Sequence, residues 1–175
     1  MTKNLLKIKI PTDRLLLVPI SLKYKEDIFR EFTAEITYFM YPKPPEKIEE
    51  TIDFIEESLV GLKDGSNLQL VVLAKESKEF LGCAGVHKLD SETPEFGIWI
   101  KKSAHGQGYG REAVTALKKW ADKNIKYQYI TYPVADENLS SRKIVESLGG
   151  KVAREYQEKN LSGREQHILE YRIYP

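Results

Sequence analysis

The stretch AHGQGYGREA, Ala104 to Ala113, sets Gly106, Gly108 and Gly110 at alternate positions and then runs into good helix formers. Glycine adopts positive φ at no steric cost, so the local reading is a tight turn into a helix. Three purposes fit such a turn. It can be a plain connection. It can be a dinucleotide fingerprint, because Gly108-Tyr-Gly110-Arg-Glu-Ala113 matches G-x-G-x-x-G/A and Asp136 follows a later strand. Or it can hold some other pyrophosphate on the N–H groups of a helix N-terminus, glycine letting the phosphates come close.

Element order separates these. Upstream, LQLVVLA (68–74) and FLGCAGV (80–86) flank the polar KESKE in a hairpin pattern, and EFGIWI (95–100) follows a turn at Ser91 to Pro94. Downstream, a helix through about Asn124 buries Ala113, Val114, Leu117, Trp120 and Ala121 and turns Glu112, Lys118, Lys119 and Asp122 to water. QYITYPV (128–134) reads as a strand, Asn138 caps a helix that Gly149-Gly150 ends, and KVAREYQ and QHILEYRIY close as a hairpin around NLSG. A dinucleotide motif opens a βαβ fold. Here three strands in hairpin order precede it, and too few residues follow to complete a doubly wound sheet. No G-K-[ST] follows the glycines, which removes a Walker phosphate loop.

The N-terminal half supplies the rest of a sheet. LLKIKI and RLLLVPI read as short strands split by Pro11-Thr12-Asp13. Ser21 is a cap for a helix to about Phe32, burying Leu22, Ile28, Phe29 and Phe32. Pro44-Pro45 opens a helix from about Glu46 to Lys63, with Ile48, Ile52, Ile55, Leu59 and Leu62 as one apolar stripe, stopped at Asp64-Gly65. Between these helices EITYFMYPKPP is too apolar for an idle linker.

The chain has 175 residues, the size of one domain, read as 1–175. Its net charge of +1 creates no field to steer nucleic acid or an anionic membrane, so neither is an expected partner. Cys83 stands alone, so no internal disulfide forms. The N-terminus has no secretory h-region and no run approaches the roughly 20 apolar residues of a membrane span, so a cytoplasmic location is expected. The sequons at Asn138 and Asn160 then read as chance matches.

EFGIWIKKSAHGQGYGREAV followed by ENLSSRKIVESLGG resembles the GNAT acetyltransferase superfamily. More narrowly it is similar to the ribosomal-protein alanine N-acetyltransferase (RimJ/RimL-like) type, and the opening TDRLLLVPI and closing HILEYRIY fit the same subgroup. The resemblance implies an α/β (α+β) fold: a mixed, mostly antiparallel sheet of about seven strands, helices on both faces, and a splay between the two central strands. It implies acetyl-CoA as cofactor and a primary amine as acceptor, either the N-terminal amine of a peptide or a small molecule. A homo-oligomer is compatible with it. One departure stands out, because the family motif opens on Gln or Arg where this chain has His105.

The resemblance places the pyrophosphate on His105, Gly106, Gln107, Gly108, Tyr109, Gly110 and Arg111, and the pantetheine arm along Ile98, Trp99 and Ile100, with Asn138 touching that arm. A peptide-like arm can pair with a strand backbone as an added strand would. Pro133 fits interrupted pairing at the splay, though a β-bulge explains it equally well. Acetyl transfer needs a neutral amine and a proton for the leaving thiolate; an N-terminal amine with a pKa of about 7.7–8.0 meets the first need more readily than lysine. Glu95 is the candidate general base, with a solvated edge carboxylate as the competing reading. Ser141, in the N-x-x-S of Asn138-Leu-Ser-Ser141, is the candidate proton donor to sulfur, with an ordinary helix serine competing.

Tyr38, Phe39 and Tyr41, with Trp99, are candidates to wall the acceptor cleft, or they are plain core. His87 joins the acceptor side as a relay or, equally, as a structural histidine. It forms no dyad with Cys83, since four strand steps separate them by roughly 13 Å. The histidines show no metal spacing. Two other functions compete: a non-catalytic GNAT-fold module that binds acyl-CoA or a protein, which His105 permits and Glu95 and Ser141 argue against, and a nicotinamide-dependent enzyme.

Overall fold

LQLVVLA does become a strand, and a central one: Leu68–Ala74 is buried along almost its whole length, as a strand covered on both faces must be. It is β3 in a computed structural model that describes residues 4–175. Among the described residues the sheet has eight strands: β1 (Ile10–Pro11), β2 (Leu15–Pro19), β3, β4 (Phe80–His87), β5 (Glu95–Ile100), β6 (Ile130–Ala135), β7 (Lys151–Lys159) and β8 (Glu165–Ile173), in the order β1-β2-β3-β4-β5-β6-β8-β7. Every neighbouring pair is antiparallel except β5 and β6. The strand beyond the expected seven is the two-residue β1.

The helices are α1 (Lys25–Glu31), α2 (Ala34–Thr37), α3 (Ile48–Asp64), α4 (Tyr109–Asn124) and α5 (Leu139–Ser147). They cover both faces. Phe32, at the end of α1, packs on Trp99 of β5 with ring centroids 5.0 Å apart, and α1 and α3 lie together on that face. The neighbouring Ile98 and Ile100 point the other way, towards the start of α4 at Gly110. The core between these layers takes Ile55 and Leu62 from α3 and Ala113, Val114, Leu117 and Ala121 from α4.

Three expectations from the sequence are corrected. LLKIKI is not a strand along its length: only Ile10 pairs, while Leu5 is buried and donates its N–H to Leu62 C=O at 2.8 Å, closing the end of α3. The segment from Ser21 is not one helix. A 3-10 turn at Leu22–Tyr24 precedes α1, Ser21 makes no side-chain cap bond, and Leu22 is exposed. α3 starts at Ile48 rather than Glu46, with both prolines outside it.

The decisive irregularity is at β5 and β6. Glu95 and Thr131 are their one paired position, supported by Thr131 N–H to Pro94 C=O at 2.8 Å. Beyond it the strands diverge, while β6 stays paired with β8 through Ala135. Backbone groups of alternate residues face opposite neighbours. Thr131 faces β5, so Pro133 does too, and the N–H that proline lacks would have pointed into the gap. The ladder to β8 therefore loses nothing, and a bulge is not needed to house this proline.

Candidate active site

The same alternation sorts the residues of β5. Pro94 C=O faces β6, so Phe96, Ile98 and Ile100 turn their backbone groups to the gap, whereas Trp99 turns its own to Cys83 of β4. Ile98 thus offers an N–H and a C=O just past the junction. The Trp99 side chain lies on the α1 face between Phe32 and Phe80.

At the open end of the gap stands the glycine loop. Gly106 and Gly108 have φ of 75° and 78°, the left-handed region that disfavours other residues. Gly110 serves a different purpose: a Cβ there would lie 3.0 Å from Ile144 Cδ1, so its hydrogens let α5 approach the start of α4. The N–H groups of Tyr109, Gly110 and Arg111 precede the first helical bond, Glu112 N–H to Gly108 C=O at 3.1 Å. A side chain at Gly106 would meet nothing within 4 Å, so the loop face is open. An anion fits this place.

His105 does not point at that face. Its ring Nε2 lies 2.7 Å from Ile100 C=O, and because a carbonyl only accepts, Nε2 carries the hydrogen. The ring ties the loop back to the end of β5. The cation beside the loop is Arg14 instead. Its guanidinium donates to Gln107 C=O at 2.9 Å, lies over the Tyr109 ring at 4.7 Å, and pairs with Glu112 at 2.7 Å. Glu112 also accepts from Thr12 Oγ1 at 2.5 Å and from Arg14 N–H at 2.8 Å. This knot fastens β1 and β2 to the start of α4 and neutralises a carboxylate that would otherwise repel an anion.

Burial alone would raise the Glu112 pKa, but the Thr12 and Arg14 bonds outweigh it and hold the carboxyl below its ordinary value. A carboxyl depressed in the fold stabilises it above the unfolded pKa and loses that contribution as pH falls through the folded value. The knot is therefore expected to loosen below about pH 4. Glu112→Gln should lower stability by about 1 kcal/mol at neutral pH and flatten the acid limb of a denaturation-midpoint profile. A variant whose midpoint falls with acid as steeply as the parent's would overturn the assignment.

The apex of the splay carries Glu95, with Lys88 Nζ 3.0 Å from its carboxylate and His87 opposite on β4. Burial lowers the His87 pKa against the pull of Glu95, so its ring is neutral at pH 7. His87 Nε2 sits over Gly97, 2.9 Å from where a Cβ would lie. Burial pushes the Cys83 thiol up, so it stays protonated.

Across the gap, Asn138 caps α5 by accepting Ser141 N–H at 3.2 Å. Ser141 Oγ lies 2.8 Å from Tyr132 Oη, a partner that sequence reasoning missed. Tyr132 is 3% exposed, and burial pushes its phenol up to about 12 despite the Ser141 bond.

The aromatic segment 37–42 is held by the β7–β8 hairpin. Gln166 Nε2 donates to Tyr38 C=O at 2.9 Å, and Asn160 Nδ2 donates to Met40 C=O at 3.1 Å. Leu161 N–H reaches Tyr41 C=O at 2.9 Å, and the Arg164 guanidinium covers the Tyr38 ring at 3.7 Å. Tyr38 and Tyr41 are each 52% exposed and are not core; Phe39 packs edge-on against Tyr38. Asn160, one of the two sequon asparagines, is 4% exposed and committed to these bonds. No helix among the described residues is long and apolar enough to cross a membrane.

Solved structures share this architecture. An acetyltransferase from Salmonella typhimurium that modifies the N-terminal serine of ribosomal protein L7/L12 superposes with a TM-score of 0.83 at 14% identity, covering 96% of this chain and 99% of that one. The microcin C7 self-immunity acetyltransferase MccE, solved with acetyl-CoA and AMP, gives 0.81 at 18% identity, with 94% of each chain covered. At such identities the likeness is one of fold. An uncharacterised N-acetyltransferase, p20, of Bacillus licheniformis is 26% identical over 141 residues, 78% of this chain and 79% of its own. An uncharacterised protein of Methanocaldococcus jannaschii is 28% identical over 124 residues; the match takes 69% of this chain but spans only 24% of that protein's length. The profile of the acetyltransferase (GNAT) domain matches residues 14–151, from the arginine of the knot through the loop and both diverging strands, and the chain belongs to that family of acetyl-CoA-dependent acetyltransferases.

Proposed function

We propose that this protein transfers the acetyl group of acetyl-CoA to a primary amine, and that its acceptor is the α-amine of a peptide N-terminus, as in the RimJ/RimL-like subgroup. The observation that carries the reading is the single Glu95–Thr131 pairing, beyond which β5 and β6 part towards the N-terminus of α4. Acetyl-CoA supplies an activated acyl group as a thioester. The N–H groups of Tyr109, Gly110 and Arg111 hold its pyrophosphate, and Ile98 pairs with the pantetheine arm as an inserted strand would. Arg14, not His105, supplies the nearby positive charge.

Glu95 accepts the proton of the attacking amine, with the neutral His87 beside it on the acceptor face. Ser141 faces the gap from α5 and returns a proton to sulfur. Tyr38, Phe39 and Tyr41 wall the acceptor entrance. The His105 substitution does not favour a non-catalytic module, because its ring is spent on Ile100 and the loop keeps its helix N–H groups.

Thiol release from acetyl-CoA, followed across a panel of N-terminal peptides, polyamines and free amino acids, tests the proposal. Turnover with peptides that disappears when their N-termini are blocked is the expected result. Turnover only with small amines overturns the acceptor; no turnover at all, with CoA bound in calorimetry, overturns the catalytic reading.

A further inference from the structure

Tyr132 reaches Ser141 from the sheet below. Its side chain leaves β6 on the side that α5 covers, and its phenol is buried. Among the described residues Ser141 Oγ is the hydrogen-bond partner of Tyr132 Oη. A serine hydroxyl has one hydrogen and two lone pairs, and a phenol likewise one hydrogen. The bond can therefore run either way, but the two directions differ in what they leave behind. If Ser141 donated, the phenol O–H would be left buried without an acceptor, a costly omission. If Tyr132 donates, the buried phenol hydrogen is paired and the Ser141 hydrogen is free to turn outward, away from the sheet. The phenol's high pKa keeps that hydrogen in place at neutral pH.

Outward from Ser141 is the gap. Ile144 lies one helical turn further along α5, on the same face, and its Cδ1 abuts the place of a Gly110 Cβ at the start of α4. Ser141 thus looks across the splay from the β6 side. The charged neighbours are committed elsewhere: Arg142 to Asp136 C=O and Tyr171 Oη, and Glu137 to Arg164.

We infer that Tyr132 is a positioning residue, which by donating to Ser141 Oγ fixes the serine hydrogen towards the sulfur of bound coenzyme A. The inference rests on the role proposed above for Ser141. In the reaction the amine nitrogen bonds to the acetyl carbon, its proton passing to Glu95, and the carbon–sulfur bond breaks with its electron pair on sulfur. Sulfur then takes one proton through Ser141, whose hydroxyl regains one from solvent in the same step, while Glu95 releases the amine's proton to solvent as the amide leaves. Ser141, polarised by the phenol behind it, stabilises the sulfur anion until that proton arrives.

The thiol product reports on this without any acceptor. Thiolate absorbs in the ultraviolet, so the titration of CoA bound to the protein can be read directly, with desulfo-CoA as the blank and as a measure of binding without sulfur. A free thiol titrates near 8.5. Tyr132→Phe keeps the ring and removes only the hydroxyl. It is expected to leave desulfo-CoA affinity unchanged and to cut the thiolate-to-thiol ratio of bound CoA roughly three- to tenfold, about half to one pH unit. Ser141→Ala should give a similar shift, and the double variant no more than either, because the two hydroxyls act as one chain.

If Ser141→Ala shifts the titration and Tyr132→Phe does not, the positioning role is wrong while the serine's role stands. If Ser141→Ala has no effect, the serine's role fails first and this inference with it. Loss of desulfo-CoA affinity in Tyr132→Phe would mark the phenol as structural and overturn the inference. Additive shifts in the double variant would do the same.

Discussion

Glu95→Gln is expected to lower kcat by roughly 10²- to 10⁴-fold, the usual contribution of a general base, with the KM for acetyl-CoA unchanged. Glutamine keeps the size of the side chain and one oxygen that can accept from Lys88, but it cannot take the amine's proton. The separation of kcat from KM follows from where Glu95 stands. It stands at the apex of the splay, in register with Thr131 and His87, and its carboxylate leaves on the face opposite α4, next to Lys88. The loop that would hold pyrophosphate is at the far end of β5. A fall smaller than about threefold would return Glu95 to the rank of an edge carboxylate.

The second large effect is expected in the loop. Gly108→Val puts a β-branched residue at φ 78°, where strain of about 1–3 kcal/mol is the norm. Gly108 is the residue from which α4 departs, so relaxing that strain re-aims the helix N–H groups. CoA affinity by calorimetry should fall about tenfold to a hundredfold, while the fold survives with its melting temperature lowered by about 2–4 °C for each kcal/mol of that strain. Gly108→Asn tests the cause, since asparagine accepts positive φ more readily and should recover most of the loss. Parent-like affinity in Gly108→Val would show that the loop does not grip the cofactor.

These two residues were open to inspection in the sequence for different reasons. β3 and β5 coincide with LQLVVLA and EFGIWI, and α4 with the run from the glycines to Asn124, because apolar spacing repeats within each segment. The glycine pattern was legible as a loop but not in its parts. Gly106 and Gly108 are there for φ and Gly110 for Ile144, and a spacing rule cannot separate conformation from packing. What stayed hidden is what distant segments do to one another. Glu112 reads as an outward-facing helix residue until Arg14 and Thr12, nearly a hundred positions earlier, close around it. Tyr132 reads as a core aromatic until α5 lays Ser141 over it. The wall formed by residues 37–42 depends on Asn160, Arg164 and Gln166, which carry no local sign of that task. LLKIKI failed in the opposite sense: it has a strand's alternation, but lies where the sheet offers only a two-residue edge.

Pro133 has a consequence for the empty protein. A wedge-shaped opening between two parallel strands is a standing invitation for the strands to zip together, since each has peptide groups to offer the other. At Pro133 that zipper is missing a tooth on the side that matters. Closing the opening would face a carbonyl of β5 with a ring that cannot donate, so collapse gains little. A guest arriving between the strands therefore has no host pairing to undo, and the berth is kept clear by one covalent ring rather than by the guest itself.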